Sequence, residues 1–447
     1  MANVCLVSAG MMSPKKGAGR YRYMHRYLNY GLLGLSSAVS DYWPVIHGNF
    51  SNPSRFIAEN PELLTAKAVL LSVPSFYALE WSQEFLTQLK AQNRDCHLHI
   101  GGRWVFDKYL PFVRSFFPDG ANFHTGFGES VIREIAKEYN AALIPEFDRF
   151  ILSNLDYSKL KYRDEFHVSI EVSRGCGLGC YFCEEANIPL SKLKSPAKIL
   201  DEFDRAKASR KFTPKVYLEA SLFAPSEKWT TDFAKSVAAR GEAFEWRTEC
   251  RVDTLSEEKV VLLAESGMKV IDLGLESASP TQIAAMGKSK NPDKYLEKAS
   301  QLIASCHKNG VAAKLNILLY PGETNQTISE TRQFLDQHKH LFKGVSAYPV
   351  LAFGFGNHLK RTQEDYSQTP GCNLVPTKTP GVWDVDLSRE ISSKSAKKIC
   401  GEISRDFMSS SEYFYLKSFG YFRPDYSELA FQADLREVDE GQHPCGK

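Results

Sequence analysis

The stretch SRGCGLGCYFCEEA, Ser173 to Ala186, sets Cys176, Cys180 and Cys183 within eight residues, among glycines and two aromatics. Thiolate is the natural soft ligand for each iron corner of a 4Fe-4S cube. Three cysteines fill three corners and leave one iron open. Structural metal sites are usually closed, whereas an open position invites a substrate or cofactor. Gly175, Gly177 and Gly179 let the backbone turn tightly around a bulky cube. A zinc site and a chance cluster are the bland alternatives. Zinc wants four ligands, and the nearest histidine, His167, lies inside an expected strand.

Outward from the cysteines, the chain alternates strand and helix. Six strand candidates run from residue 166 onward: HVSIEVS, KVYLEA, FEWRTEC, VIDLGLE, AAKLNILLY and VSAYPVLAF. Amphipathic helical stretches such as PAKILDEFDRAKASR separate them. Six such units in series predict a partial (β/α)6 barrel over 166–365, with its chemistry where the strands finish. The cysteine loop directly follows the first of these strands.

Residues 1–150 also alternate. NVCLVSA, KAVLLSV and CHLHIGG read as buried strands, and YLNYGLLGLSSAV, ALEWSQEFLTQLKAQN and VIREIAKEYNA as helices. This predicts an α/β, doubly wound parallel sheet of Rossmann type, with ligands at the carboxyl ends of its strands. Residues 151–165 form a polar connector. From 366 to 447 the pattern weakens into a C-terminal extension. TQEDYSQTPGCNLVPTKTPGVWD is expected to be a loop, SREISSKSAKKICGEISRDFMS a helix, and the aromatic EYFYLKSFGYF a core stripe rather than a cofactor box.

The chain has 447 residues with 55 basic and 53 acidic side chains. That balance gives no net field towards nucleic acid or an anionic membrane. The sequence holds no apolar run of transmembrane length, and its start lacks a signal peptide's pattern, so a cytoplasmic location is expected. The other cysteines, Cys5, Cys96, Cys250, Cys306, Cys372, Cys400 and Cys445, are scattered, which is no disulfide framework and no second cluster.

Over about 166–355 the sequence resembles the radical S-adenosyl-L-methionine (SAM) superfamily. The resemblance implies a 4Fe-4S cluster on the three cysteines. It also implies SAM chelating the open iron through its amino and carboxylate groups, and a reductant such as flavodoxin or ferredoxin. Phe182 then matches the aromatic near the adenine. Glu219 and Ser221, in LEAS, sit where the family often has a Gly-Gly-Glu segment contacting the SAM amino group; the segment is degenerate here. Arg247, Glu249 and Arg251, in WRTECR, stand at the third strand end, where an arginine would pair with a carboxylate or form a rim salt bridge. Glu276 and Ser277 correspond to a ribose contact, and Asn316 and Leu318 to residues facing SAM. Lys288, in AAMGKS, reads as a solvated lysine.

Residues 1–150 resemble the cobalamin-binding domain that precedes many radical SAM barrels, through YGLLGLSSAV, HIGGRWV and HTGFGESVIREI. The Asp-x-His-x-x-Gly motif that supplies a cobalt ligand is absent, and His25 does not replace it. Many radical SAM methylases that resemble this chain lack the motif and bind cobalamin without a histidine ligand, so the resemblance still implies cobalamin as a third cofactor. The basic loop GMMSPKKGAGRYRYMH reads equally as a cover for that face and as a solvated loop. Three functions follow. The first is cobalamin-dependent methyl transfer to an unactivated carbon of a small molecule in specialised biosynthesis. The second is cobalamin-independent transfer of a 3-amino-3-carboxypropyl group to a soft acceptor such as trivalent arsenic, as in arsinothricin-type biosynthesis, with Cys250 and the tail cysteines Cys372, Cys400 and Cys445 candidate thiols. The third is a non-catalytic iron–sulfur redox sensor.

Overall fold

In the computed structural model, residues 3–13, 19–145, 147, 155–210, 215–242 and 244–436 are described. Residues 14–18 of the basic loop, 151–154 of the connector, and Cys445 lie outside them.

The front sheet contains β1 (Val4–Ser8), β2 (Val45–His47), β3 (Ala68–Ser72), β4 (His97–Gly101) and β5 (Asn122–Phe123). Its order is β2-β1-β3-β4-β5, with every pair parallel. Alternation along β1 explains the two covered faces. Val4 and Leu6 pack with Leu32, Leu33, Ile132 and Ile135 on one side. Cys5 and Val7 pack with Trp81, Phe85 and Leu89 on the other. This is the doubly wound α/β sheet that the sequence predicts. The strands VIH and NF were not anticipated; at three and two residues, they are too short to show a period.

The second sheet contains β6 (Val168–Arg174), β7 (Lys192–Leu193), β8 (Val216–Ala220), β9 (Trp246–Arg251), β10 (Met268–Glu276), β11 (Ala312–Leu319) and β12 (Gly344–Pro349). Its order is β12-β11-β10-β9-β8-β6-β7. Six strands run parallel, and only the short β7 runs antiparallel, against β6. β12 and β6 do not pair, so the barrel is open.

The sixth strand is shorter than VSAYPVLAF suggests. The chain leaves the barrel at Val350, and Leu351–Phe353 becomes β13. β13 pairs with β15 (Val382–Asp386), which also pairs with β14 (Asn373–Pro376), in an antiparallel three-stranded sheet. The segment expected to be a loop therefore contains two strands and the end of the helix Gly356–Ser367. That helix also spans the expected boundary after 365. Proline and threonine density hid strands that exist through pairing: β14 finds β15 a tight hairpin away, and β13 finds it from across the intervening helix, a tertiary override of local propensity.

The helix Ser393–Asp406 packs along β12, where Ser404 Oγ accepts from Ala347 N–H at 3.0 Å. The aromatic stripe after it is core. Tyr413, Leu416, Phe419 and Phe422 are buried with Tyr21, Val270, Met408 and Phe431. Val270 lies near the start of β10, so this cluster closes the barrel where its strands begin. No helix among the described residues is long and apolar enough to cross a membrane.

Candidate active site

β6 delivers the chain to the cysteine loop. Gly175 has φ +79°, and a Cβ there would stand 2.1 Å from Pro189 O. Only glycine makes this turn. Cys176 N–H donates to Ile188 O at 2.8 Å, and Cys183 N–H to Cys180 O at 3.0 Å. Tyr181 N–H reaches Met286 O at 3.0 Å, which ties the loop to the AAMGKS segment. Cys180 is buried, Cys176 half-buried and Cys183 exposed, and all three are free thiols. Among the described residues, no group of three or more His, Cys, Asp or Glu is arranged for a single metal ion. A cubane does not ask for that, because each thiolate takes a different iron at a separate corner. Three free thiols on one loop with glycine turns fit such a group by donor chemistry.

Arg251, at the end of β9, brings a guanidinium to the loop. Its Nη1 lies 2.9 Å from Cys180 Sγ. Lys288 is not solvated. It is 5% exposed, and its Nζ lies 3.0 Å from Gly274 O and 3.4 Å from Glu276 Oε1. Glu276 ends β10 at φ +62°, in the left-handed region, beside a register shift. Burial raises its pKa, and Lys288 opposes the rise. Ser277 is 1% exposed, its hydroxyl within 3.1 Å of Thr331 Oγ1 and accepting from Ser279 N–H. These bonds fasten the turn that follows β10.

Arg247 is also placed differently from expectation. It lies near the start of β9 and is fully buried. It pairs with Asp272, which also receives Lys314 at 2.7 Å, and donates to Leu416 O at 2.8 Å. Its guanidinium stacks over Tyr421 and Tyr217, 4.6 and 5.0 Å from their ring centres. Two-residue alternation puts Arg247, Glu249 and Arg251 on one face of β9 at three different depths, so only Arg251 is a strand-end residue.

Between these depths lie carboxylates and phenols. Glu249 accepts from Tyr217 OH, and from Tyr421 OH at 3.5 Å. Glu219 is pushed up to about 8, first by burial and then by the Glu249 charge. Tyr27 is 50% exposed, yet burial lifts its phenol to about 12. Phe182 stands 6.4 Å from Tyr320, ring centre to ring centre. Asn316 and Leu318 are half-buried on the same face of β11, and Ser221 is exposed just beyond β8. The expected residues that converge near the cysteine loop are thus Phe182 and Glu276, joined by Arg251 and Lys288. Cys250 faces the other way, into the core side of β9, with its thiol 2.8 Å from Thr254 Oγ1 and pushed up to about 11 by burial.

Residues beside the front sheet's strand ends meet the barrel. Asn29 Nδ2 donates to Ser8 Oγ and Ser72 Oγ at 3.2 and 3.1 Å, and Asn29 N–H to His47 Nε2 at 2.9 Å. Arg174, closing β6, bridges Glu129 at 2.7 Å and Glu171 at 2.6 Å. Tyr30 feels Glu219 and Glu171 of the barrel together with Arg103 from beyond β4. His25 is stacked on Phe422 at 4.8 Å, inside the C-terminal extension and away from those strand ends. The tyrosines 27, 217 and 421 were not singled out from sequence. Their signal was only the β8 alternation and an aromatic stripe assigned wholly to core.

Comparison with known proteins follows this geometry. Residues 170–335 match the family model of the radical SAM superfamily. An uncharacterized methyltransferase, PH0819, of Pyrococcus horikoshii is 24% identical over 203 residues, 43% of each chain, so this chain matches under half of that relative's length. Among solved structures, the radical SAM methyltransferase TsrM from Kitasatospora setae, with cobalamin and a 4Fe-4S cluster bound, superposes with a TM-score of 0.61. The match has 16% identity and covers 99% of this chain and 92% of TsrM. The cobalamin-dependent SAM radical enzyme OxsB, with aqua-cobalamin and SAM bound, gives 0.64 at 15% identity, covering 89% of this chain and 65% of OxsB. At these identities the likeness establishes fold, and fold alone does not fix function. Residues 170–335 thus match the radical SAM superfamily model, and the chain as a whole shares the fold of these two solved structures.

Proposed function

We propose that this protein is a cobalamin-dependent radical SAM methyltransferase acting on an unactivated carbon of a small molecule in specialised biosynthesis. The observation that carries this reading is the opposition of two sets of strand ends. Arg174, which closes β6 just before the cysteine loop, pairs with Glu129 of the front half, and Tyr30, beside the ends of β1 and β3, lies among Glu219, Glu171, Arg174 and Arg103. Two cofactors that must exchange a group with one substrate need such a shared space. TsrM and OxsB, whose structures contain cobalamin, share the fold, which supports this reading.

In this reading, Cys176, Cys180 and Cys183 hold the cluster. Phe182, Glu276, Asn316 and Leu318 border the SAM site, and residues 1–150 carry the corrinoid. The bound cofactors would supply one-electron cleavage of a sulfonium bond and methyl transfer, chemistry that protein side chains lack. The chain itself orients the groups and excludes water. Its lumen is closed below by Phe422 and its neighbours, and Lys288 neutralises Glu276 beside the loop. A flavodoxin or ferredoxin would serve as reductant.

The test is anaerobic purification with added hydroxocobalamin, followed by mass spectrometry of the adenosine products. Corrinoid absorption bands with 5′-deoxyadenosine and S-adenosylhomocysteine support the reading. Methylthioadenosine without corrinoid overturns it in favour of aminocarboxypropyl transfer. The Cys250 thiol lies against Thr254 and is pushed up to about 11 by burial, which gives that branch little support from this residue. A cluster whose EPR signal ignores SAM would indicate a redox sensor.

A further inference from the structure

Arg251 is held on several sides. Nε and Nη2 bind the two oxygens of Asp253 at 2.9 and 3.0 Å, and Nη2 also donates to Lys288 O at 2.6 Å. The guanidinium lies 5.9 Å from the Tyr295 ring centre, and Tyr295 OH is fixed by Gly274 O and Leu275 O at 3.1 Å each. Lys288 is anchored in turn by Gly274 O and Glu276. A guanidinium has five N–H donors. Both Nη2 hydrogens and the Nε hydrogen are used in this clamp. One Nη1 hydrogen is aimed at Cys180 Sγ, 2.9 Å away across 71 residues of sequence. The single remaining N–H cannot grip a carboxylate with two parallel bonds, the geometry expected of an arginine that binds SAM or a substrate acid. An arginine that merely braced the barrel rim against Asp253 would have no need of the sulfur.

We propose that Arg251 is a positioning residue for the cluster. It donates a charge-assisted N–H to the Cys180 thiolate, fixes that corner, and raises the cluster's reduction potential. The physical basis is general. Hydrogen bonds to ligating sulfur and nearby charge set iron–sulfur potentials, and partners behind a ligand orient it. Adding an electron makes the cluster more negative, so a fixed cation beside one thiolate stabilises the reduced form more than the oxidised one. Asp253 tempers this by sharing the charge, and its clamp stops the guanidinium from rotating away. The inference rests on the reading of Cys180 as a cluster ligand.

The experiment is an EPR-monitored redox titration of reconstituted full-length protein, comparing parent, Arg251→Lys and Arg251→Met. Arg251→Met should disfavour reduction about tenfold, a shift of about 59 mV to more negative potential for one electron. Arg251→Lys, keeping charge but losing the fork, should fall between. Pulsed EPR on the parent labelled with 15N-arginine should show a weakly coupled nitrogen on the reduced cluster. Unchanged potentials in both variants, or no coupled nitrogen in the parent, overturn the proposal. If Arg251→Met fails to assemble a cluster, the nitrogen coupling in the parent decides. A parent that assembles no cluster at all refutes the cluster reading itself, an outcome distinct from a cluster whose potential ignores Arg251.

Discussion

Glu219 illustrates how a single carboxyl reports on its surroundings. Its pKa stands at about 8 against a usual 4.5, because burial and the Glu249 charge both disfavour ionisation. A raised carboxyl pKa means that the folded state holds the proton more tightly than the unfolded chain. The contribution of Glu219 to native stability is therefore full below pH 4.5, falls as pH rises from there to about 8, and is flat above. Glu219→Gln removes the ionisation while keeping the shape. The expected outcome is a melting temperature whose gap over the parent widens from pH 4.5 to 8 and is flat above, measured by differential scanning fluorimetry. A gap independent of pH would show that Glu219 is ionised throughout. At the same scale, Cys180→Ala should lose iron and all SAM cleavage. Full iron content in that variant would remove Cys180 from the ligand set. These residues were partly legible in sequence. The cysteine spacing stood out because few chemistries need three thiols in eight residues. Lys288 and Asp253 did not, because their partners come from strands that only the fold brings near.

At the scale of elements, the loop after β6 depends on backbone geometry more than on side chains. Gly175 occupies positive φ with Pro189 O so close that any Cβ must displace backbone. Gly175→Ala should therefore disturb the loop by more than the 1–2 kcal/mol of left-handed strain alone. The measurable result is lowered iron content after reconstitution, with the far-UV circular dichroism of the barrel retained. Normal iron loading would mean that the 188–190 segment yields. Alternation predicted the barrel strands β8 to β11 because each carries several residues of two-residue period. It failed at β2 and β5, too brief for a period, and at β13 to β15, where an edge sheet is stabilised by its pairings. HIGG and SRGCG were informative for a different reason. Glycine after a strand marks a place where backbone must turn at its carboxyl end.

For the whole molecule, closure of the barrel base falls to aromatics drawn from distant parts of the chain. Tyr21 and Phe422 meet in one buried cluster with Val270. Phe422 is fully buried, so Phe422→Ala should cost about 3–5 kcal/mol. The check is chemical denaturation, where a loss under about 1 kcal/mol would show that the cluster collapses around the gap. The aromatic run was legible as core, but its assignment to the barrel floor was not, because sequence cannot say which end of a lumen a tail will reach.

The front sheet and the barrel do not keep separate interiors. Leu6 and Leu70 belong to the same buried cluster as Val168, Leu218 and Leu273. Cutting the gene between the two halves would strip an oily flank from each product and invite aggregation. Exchanging this leading module for that of another enzyme, a common route to chimeras, would have to transplant the seam as well as the ligand loops. The two halves are thus expected to melt in one transition, and evolution to have altered them in concert.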